Sequence, residues 1–270
     1  MNIEKKQILL ANDDGINAPG LWAAASALAE LGYVTVAAPR EQASGTGRSF
    51  PKTSDGRITS QTMQVNGQDW QVYAIGGSPS QTVLHALLEI LPEKPDLVVS
   101  GINYGENLSS DITYSGTVGA AMECAAMGVP SMAVSMQVPI EDWEHGRPKI
   151  DYDAAAHFTQ KFAKIMLTKQ MLEDVDLLNI VVPTGATTET PWRITRLYRR
   201  KYFNPYVVRS GEGTWDDSGR ITARISIPAD LAHDTDIYTV HVDKLVSVTP
   251  VSIDLTSRVD FEQLTQLLGE

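Results

Sequence analysis

The sequence contains very little cysteine and comparatively few basic residues. Its only thiol is Cys124, which excludes an intramolecular disulfide framework and any site built from several thiolates. Lysine and arginine number 22 against 33 aspartate and glutamate residues, giving a net charge of -11. This balance disfavours long-range attraction to polymeric nucleic acid or to an anionic membrane. A small anionic ligand would therefore need local positive charge from a metal ion, an arginine or a helix N-terminus.

Long apolar runs are absent as well. No stretch approaches the roughly 20 apolar residues that a membrane-spanning helix requires. The first six residues are polar, and the apolar stretch after them ends at Asn12, too early for a signal peptide. Together with the lone cysteine, this predicts a cytoplasmic protein with no membrane partner.

The histidines show no metal-binding pattern. None has the H-E-x-x-H spacing, so surface or core roles are expected for each: His85, His145, His157, His233 and His241.

What the sequence does contain is an alternation of short apolar runs with longer helical patterns. Hydrophobic residues make up 43% of the 270 residues, enough for a large core. The runs that predict buried strands are Ile8 to Ala11, Val34 to Ala38, Val72 to Ile75, Leu97 to Ser100, Met132 to Ser135 and Leu177 to Val182. The predicted helices are Leu21 to Leu31, Ser80 to Leu91, Thr117 to Met127 and Ala154 to Leu172. Such an alternation predicts an α/β fold with a mostly parallel sheet flanked by helices.

The pattern changes after about Pro183. Strand-like segments then follow one another without intervening helices: Trp192 to Tyr198, Tyr206 to Arg209 and Ile221 to Ile227. Glycines mixed with Asp216, Asp217 and Ser218 predict a hairpin tip. Apolar residues at helical spacing predict a final helix over Arg258 to Leu268. We expect one domain, with a core over about 1–190 and an appendage over about 191–270.

Oxygen-bearing side chains follow two of the predicted strands. Asp13 and Asp14 come directly after the first strand, where two adjacent carboxylates need a cation or hydrogen bonds to compensate them. Asn103 follows a later strand and offers a carbonyl oxygen that a hard divalent cation accepts. Because ligands bind beyond the carboxyl ends of parallel strands, these positions are candidates for one site. A turn or helix-capping role remains the alternative for each.

Two further segments have the composition of an anion site. The loop from Ser44 to Ser49 is rich in glycine and hydroxyl groups and contains Arg48, which can neutralise a phosphate. Ser115, Gly116 and Thr117 begin a predicted helix, whose free amides and dipole favour anions. A flexible surface loop and an ordinary N-cap are the alternatives.

Taken together, these segments resemble the SurE family of survival proteins. The resemblance lies in Ile8 to Leu21 (ILLANDDGINAPGL), Ala38 to Ser49 (APREQASGTGRS), Ser100 to Glu123 (SGINYGENLSSDITYSGTVGAAME) and Leu245 to Thr256 (LVSVTPVSIDLT). It implies a Rossmann-like domain with a protruding hairpin and a C-terminal segment, both used in forming a homodimer or homotetramer.

The resemblance also implies a metal-dependent nucleotidase. Asp13, Asp14, Ser44 and Asn103 match the family's metal ligands, which are oxygen donors suited to Mg²⁺ or Mn²⁺. The expected reaction is hydrolysis of nucleoside 5′- or 3′-monophosphates, with Asp13 and Asp14 as the catalytic pair. Ser115, Gly116 and Thr117 would bind the phosphate, and Asn107 and Arg48 are candidates at its rim. The alternatives are an exopolyphosphatase, a broad acid phosphatase and a non-catalytic nucleotide-binding protein.

Overall fold

The fold is seen in a computed structural model that describes residues 5–139 and 150–269. Its strands are β1 (Lys6–Ala11), β2 (Gly32–Pro39), β3 (Ile58–Val65), β4 (Gln68–Ile75), β5 (Leu97–Tyr104), β6 (Ser131–Met136), β7 (Leu177–Val182), β8 (Trp192–Ile194), β9 (Phe203–Arg209), β10 (Gly219–Ile225) and β11 (Val246–Val251). Its α-helices are α1 (Pro19–Leu28), α2 (Pro79–His85), α3 (Gly116–Ala126), α4 (Asp153–Thr168) and α5 (Phe261–Leu268).

Nine of the strands form one sheet in the order β3-β4-β2-β1-β5-β6-β7-β11-β8. The six strands from β4 to β7 in this order pair in parallel, whereas β3 and β11 pair antiparallel with β4 and β7. Strand β6 is buried throughout, and most residues of β1 and β5 are buried as well, as expected of strands covered by helices on both faces. The prediction of an α/β fold with a mostly parallel sheet is confirmed.

All six predicted strands and all four predicted helices of the first two-thirds are present, most of them with shifted ends. The helix predicted to reach Leu31 ends at Leu28. The one predicted to reach Leu172 ends at Thr168. The helix predicted as far as Leu91 is α-helical only to His85 and continues as a π-helical turn over Ala86–Ile90. Its start is well defined, because Ser78 and Gln81 form a reciprocal capping box.

The segment after residue 190 is only partly an appendage. Strands β9 and β10 form a separate two-stranded antiparallel hairpin with its tip in the predicted glycine-rich segment. In contrast, β8 and β11 belong to the main sheet and pair in parallel with each other. The sheet therefore extends beyond the core boundary expected near residue 190.

The final helix is shorter than predicted and lies on the surface. It begins at Phe261 after the N-cap Asp260, and none of its residues is buried. Among the described residues, the helices are all too short or too polar to cross a bilayer.

Cys124 and the histidines occupy ordinary positions. The Cys124 thiol is fully buried among apolar side chains, and burial raises its pKa. His85 contacts Glu89, His157 packs on Phe158, and His233 stacks on Tyr238. His241 contacts Tyr202, and His145 lies outside the described residues.

Candidate metal and phosphate site

The candidate site lies at the carboxyl ends of β1, β2 and β5, facing the N-terminus of α3. The turn after β1 is closed by Asn12, whose side chain donates to the Gly15 carbonyl at 3.0 Å and accepts from the Gly15 amide at 3.2 Å. Gly15 has a φ of 93°, which an L side chain rarely adopts. This turn holds Asp13 and Asp14, both of them buried, between the strand end and the rest of the site.

Asp13 contacts the start of α3 directly. The Thr117 hydroxyl donates to Asp13 Oδ1 at 2.6 Å across a buried contact. A Cβ placed on Gly116 would lie 2.8 Å from Asp13 Cβ and 2.9 Å from its Oδ2, so only glycine fits there. The structure thus brings the paired acids together with the Ser115 to Thr117 turn.

Ionisation of the Asp13 carboxyl group is unfavourable in the metal-free protein. Burial, and after it the charge of Asp14, raise its pKa from 3.8 to about 7, against the lowering effect of hydrogen bonds from Thr117. Across residues 5–139 and 150–269, no basic side chain forms an ion pair with Asp13. A divalent cation would supply the missing positive charge.

Asp14 is oriented by backbone and side-chain donors from two loops. The Tyr104 amide donates to its Oδ2 at 2.9 Å, and Gln42 Nε2 lies 3.5 Å from its Oδ1. The same Gln42 nitrogen donates to Ser44 Oγ at 2.8 Å. Gln42 therefore connects the exposed Ser44 hydroxyl to Asp14.

Asn103 is held at the end of β5 with a defined orientation. Its side-chain nitrogen donates to the Gly105 carbonyl at 2.6 Å, which leaves Oδ1 as the end open to a ligand. Together with Asp13, Asp14 and Ser44 it forms an all-oxygen donor set of two carboxylates and two neutral groups, which fits a hard divalent cation. Within the described part of the chain, no cluster of three or more His, Cys, Asp or Glu side chains competes with this set.

The three residues expected to bind phosphate are partly engaged with the protein itself. The Ser115 side chain accepts from the Val118 amide at 3.1 Å as the N-cap of α3. The Thr117 hydroxyl is used by Asp13. Within the described residues, the Gly116 amide donates to no protein acceptor. It is the amide most available to an anion at this helix end.

The two residues expected at the rim of the phosphate site, Arg48 and Asn107, are held in different ways. Arg48 Nε donates to Glu123 Oε2 at 2.5 Å, so the guanidinium is tied to α3. The Asn107 backbone is fixed on both sides, by Ser135 Oγ at 3.1 Å and by Asn179 Nδ2 at 2.9 Å. Its own side-chain nitrogen is buried and has no hydrogen-bond partner among the residues that the structure describes.

The sequence model of the family described as Survival protein SurE matches residues 8–204. The chain belongs to the SurE family. Similar relatives, all named 5′-nucleotidase SurE, include one from Thermococcus gammatolerans, 42% identical and covering 97% of this chain and 96% of the relative. Another, from Methanosarcina acetivorans, is 41% identical with 97% of both chains covered. The crystal structure of the Aquifex aeolicus SurE protein superimposes with a TM-score of 0.75 at 33% identity, covering 97% of this chain and 99% of that one.

Three contributors to this SurE site were missed by sequence reasoning. Gln42 and the Tyr104 amide orient Asp14, and Glu123 holds Arg48. Gln42 and Tyr104 each lie within two residues of a predicted ligand, a proximity that was a usable signal. The pairing of Glu123 with Arg48 spans 75 positions and had no local signal.

Proposed function

We propose that this chain is a metal-dependent phosphomonoesterase that hydrolyses nucleoside 5′-monophosphates, and also 3′-monophosphates, to nucleoside and phosphate. The observation that carries the proposal is the hydrogen bond between Thr117 and Asp13, which joins the paired acids to the open end of α3. The relatives named 5′-nucleotidase support the choice of substrate.

Asp13, Asp14, Ser44 and Asn103 would hold the metal ion, Mg²⁺ or Mn²⁺. Their donor atoms are all oxygens, the chemistry that both ions prefer. When bound, the ion supplies Lewis acidity toward the phosphoryl group and toward water. Tyr104 and Gln42 keep Asp14 in position, and one of the two aspartates also orients the attacking water molecule.

The start of α3 would hold the phosphate. Among the described residues, the Gly116 amide donates to no protein acceptor, and the one donor to the Ser115 hydroxyl is the Val118 amide. Both groups, with the helix dipole, stabilise negative charge as it spreads over the phosphoryl oxygens. Arg48 contributes positive charge at the rim while it remains paired with Glu123.

Activity of two conservative variants tests the proposal. We expect Asp13→Asn and Asp14→Asn each to reduce phosphate release from nucleoside monophosphates by about 100-fold or more in Mg²⁺ or Mn²⁺. Asp69→Asn, which removes an exposed carboxylate at the far end of β4, is the matched control and keeps parent activity. Chelation of the metal should abolish turnover without loss of helical circular dichroism.

Substrates in the same assay separate the alternatives. Adenosine monophosphate, p-nitrophenyl phosphate and short polyphosphate distinguish a nucleotidase from a broad phosphatase and from an exopolyphosphatase. Parent-level activity in both aspartate variants would overturn the proposal, as would nucleotide binding without any product.

We also propose a homodimer or homotetramer located in the cytoplasm. Helix α5 exposes Phe261, Leu267 and Leu268 to solvent at 61%, 81% and 76%. The hairpin adds Val208 and Ile221 at 51% and 72%. Apolar surfaces of this kind are typical of protein interfaces, and a second copy of the chain would cover them.

A further inference from the structure

A cleft of about 370 Å³ opens beside the candidate metal site. Its walls include Gln42 and Ala43 together with Arg40, Asp55 and Gly76. Gln42 is the residue that contacts Asp14, and the Ala43 amide donates to the Asp13 carbonyl at 2.7 Å. The cleft therefore begins where the metal site ends.

The outer wall of the cleft is braced by the protein. Ser54 Oγ donates to Gln81 Oε1 at 2.6 Å, and Gln81 Nε2 donates to the Pro51 carbonyl at 3.2 Å. The Gly56 amide donates to the Gly76 carbonyl at 2.9 Å. These bonds tie the loop before β3 to α2 and to the end of β4, so the cleft is preformed. Its volume lies in the range of small-molecule sites.

A hydrogen-bond donor and an acceptor lie side by side in this wall. Arg40 Nη2 donates to Asp55 Oδ2 at 3.2 Å, and the Arg57 amide donates to Asp55 Oδ1 at 3.0 Å. Both side chains remain partly open to solvent, at 44% for Arg40 and 41% for Asp55. A Cβ on Gly76 would come within 1.8 Å of Asp55 Oδ1, so the glycine makes room for this carboxylate.

The spacing between this pair and the metal site suits a nucleotide. Arg40 precedes Gln42 by two positions, which places their Cα atoms no more than about 7 Å apart. A phosphate held at α3 would leave its sugar and base to occupy the adjoining space. We propose that the cleft binds the nucleoside half of the substrate, and that Arg40 and Asp55 hydrogen-bond its polar groups. This inference rests on the function proposed above and adds the specificity-determining residues.

Comparison of two substrates tests the inference. The quantity measured is the ratio of kcat/KM for adenosine monophosphate to that for p-nitrophenyl phosphate, which lacks the sugar and base. Asp55→Asn keeps the shape and the acceptor for the Arg57 amide but removes the charge. We expect the ratio to fall about tenfold in this variant, since one charged hydrogen bond to the nucleoside is lost. Asp69→Asn should leave the ratio unchanged.

A charge swap separates recognition from bracing. The double variant Arg40→Asp with Asp55→Arg restores an ion pair in the opposite sense. If the pair only braces the loop, the swap recovers the parent ratio and the inference is overturned. If the pair contacts the nucleoside, the ratio stays low. An unchanged ratio in Asp55→Asn also overturns the inference.

Two further measurements distinguish failure of this inference from failure of the proposed function. Absence of adenosine monophosphate turnover in the parent protein counts against the proposed function. Adenosine binding, measured by calorimetry, needs no turnover and should weaken about tenfold in Asp55→Asn. Equal adenosine affinity in parent and variant contradicts the cleft whether or not the protein hydrolyses phosphate.

Discussion

Single residues set the electrostatics of the site, and Asp13 is the most affected of them. The residue is 3% exposed and lies beside the buried Asp14. Without a cation, ionisation of both groups is costly, which is why the pKa of Asp13 rises to about 7. Binding of a divalent ion would reverse this cost, so metal affinity and proton affinity compete at this residue.

The raised pKa predicts how the stability of the metal-free protein depends on pH. In the unfolded chain Asp13 ionises near 3.8, whereas in the folded protein it keeps its proton to about 7. Between these pH values the folded state binds more protons than the unfolded chain does. The contribution of Asp13 to the free energy of unfolding is therefore fully present below pH 3.8 and is lost as the pH rises toward 7. The loss attributable to Asp13 is at most roughly 4 kcal/mol.

Urea denaturation of the parent and of Asp13→Asn in a chelating buffer measures this effect. We expect the variant to gain stability relative to the parent as the pH rises from 5 to 7, because it has no proton to lose. Addition of Mn²⁺ should stabilise the parent at pH 7 more than the variant. A stability difference between the two proteins that does not vary with pH would contradict the assignment.

At the scale of elements, the site depends on how a loop is fixed to a helix. The Gly47 amide donates to the Tyr114 carbonyl at 2.9 Å, and Arg48 pairs with Glu123 on α3. A Cβ on Gly119 would come within 2.4 Å of the Gly47 carbonyl oxygen, so the loop and the helix are in close contact. Through this contact α3 positions the loop that carries Ser44.

A double-mutant cycle on Arg48 and Glu123 tests this arrangement. If the Arg48–Glu123 ion pair acts only by fixing the loop to α3, the two single variants and the double variant should each reduce kcat/KM by a similar factor, roughly tenfold. The variants are Arg48→Gln, Glu123→Gln and their combination. If Arg48 instead acts mainly on the phosphate, its loss should cost much more than the loss of Glu123, and the two effects should multiply. Steady-state kinetics with adenosine monophosphate distinguish these outcomes.

The elements that sequence reasoning predicted are those with continuous apolar patterns. Strand β7 was predicted with its observed ends because Leu177–Val182 is apolar at five of six positions and buried throughout. Strand β3 was missed because Ile58–Val65 is mostly polar and half exposed at the sheet edge. Strand β11 was missed as a strand although its segment was noted, since Val246–Val251 contains a proline and alternates polar residues.

The site residues, too, divide into those that the strand pattern could place and those that it could not. Asp13, Asp14 and Asn103 could be placed near one another because parallel strands end at the same edge of the sheet. The hydrogen bond from Thr117 to Asp13 joins residues 104 positions apart and could not be predicted. The same holds for the partner of Arg48, because side-chain pairing depends on how α3 packs against the loop.

The whole molecule combines a sheet that is covered by helices with two elements, α5 and the β9–β10 hairpin, whose apolar side chains are exposed to solvent. The sheet core is shielded by helices on both faces, whereas α5 and the hairpin expose several large apolar side chains. Such exposure would be unfavourable in a monomer, and association of copies would remove it from water.

Solution mass tests this proposal of association. Light scattering coupled to size exclusion should give the parent a multiple of 29.5 kDa. The double variant Leu267→Glu with Leu268→Glu places charge on the exposed face of α5 and should give a smaller assembly. Leu172→Glu is the matched control, because Leu172 and Leu267 are both 81% exposed. A parent that is monomeric, or a mass unaffected by the double variant, would contradict the proposal.

The most direct measurement for the whole account is a crystal structure of the protein soaked with Mn²⁺ and a phosphate mimic, with anomalous scattering used to locate the ion. We expect one manganese peak within bonding distance of the Asp13 and Asp14 carboxylates, and the mimic hydrogen-bonded to the Gly116 amide. Manganese bound elsewhere, or a phosphate mimic remote from the start of α3, would contradict it.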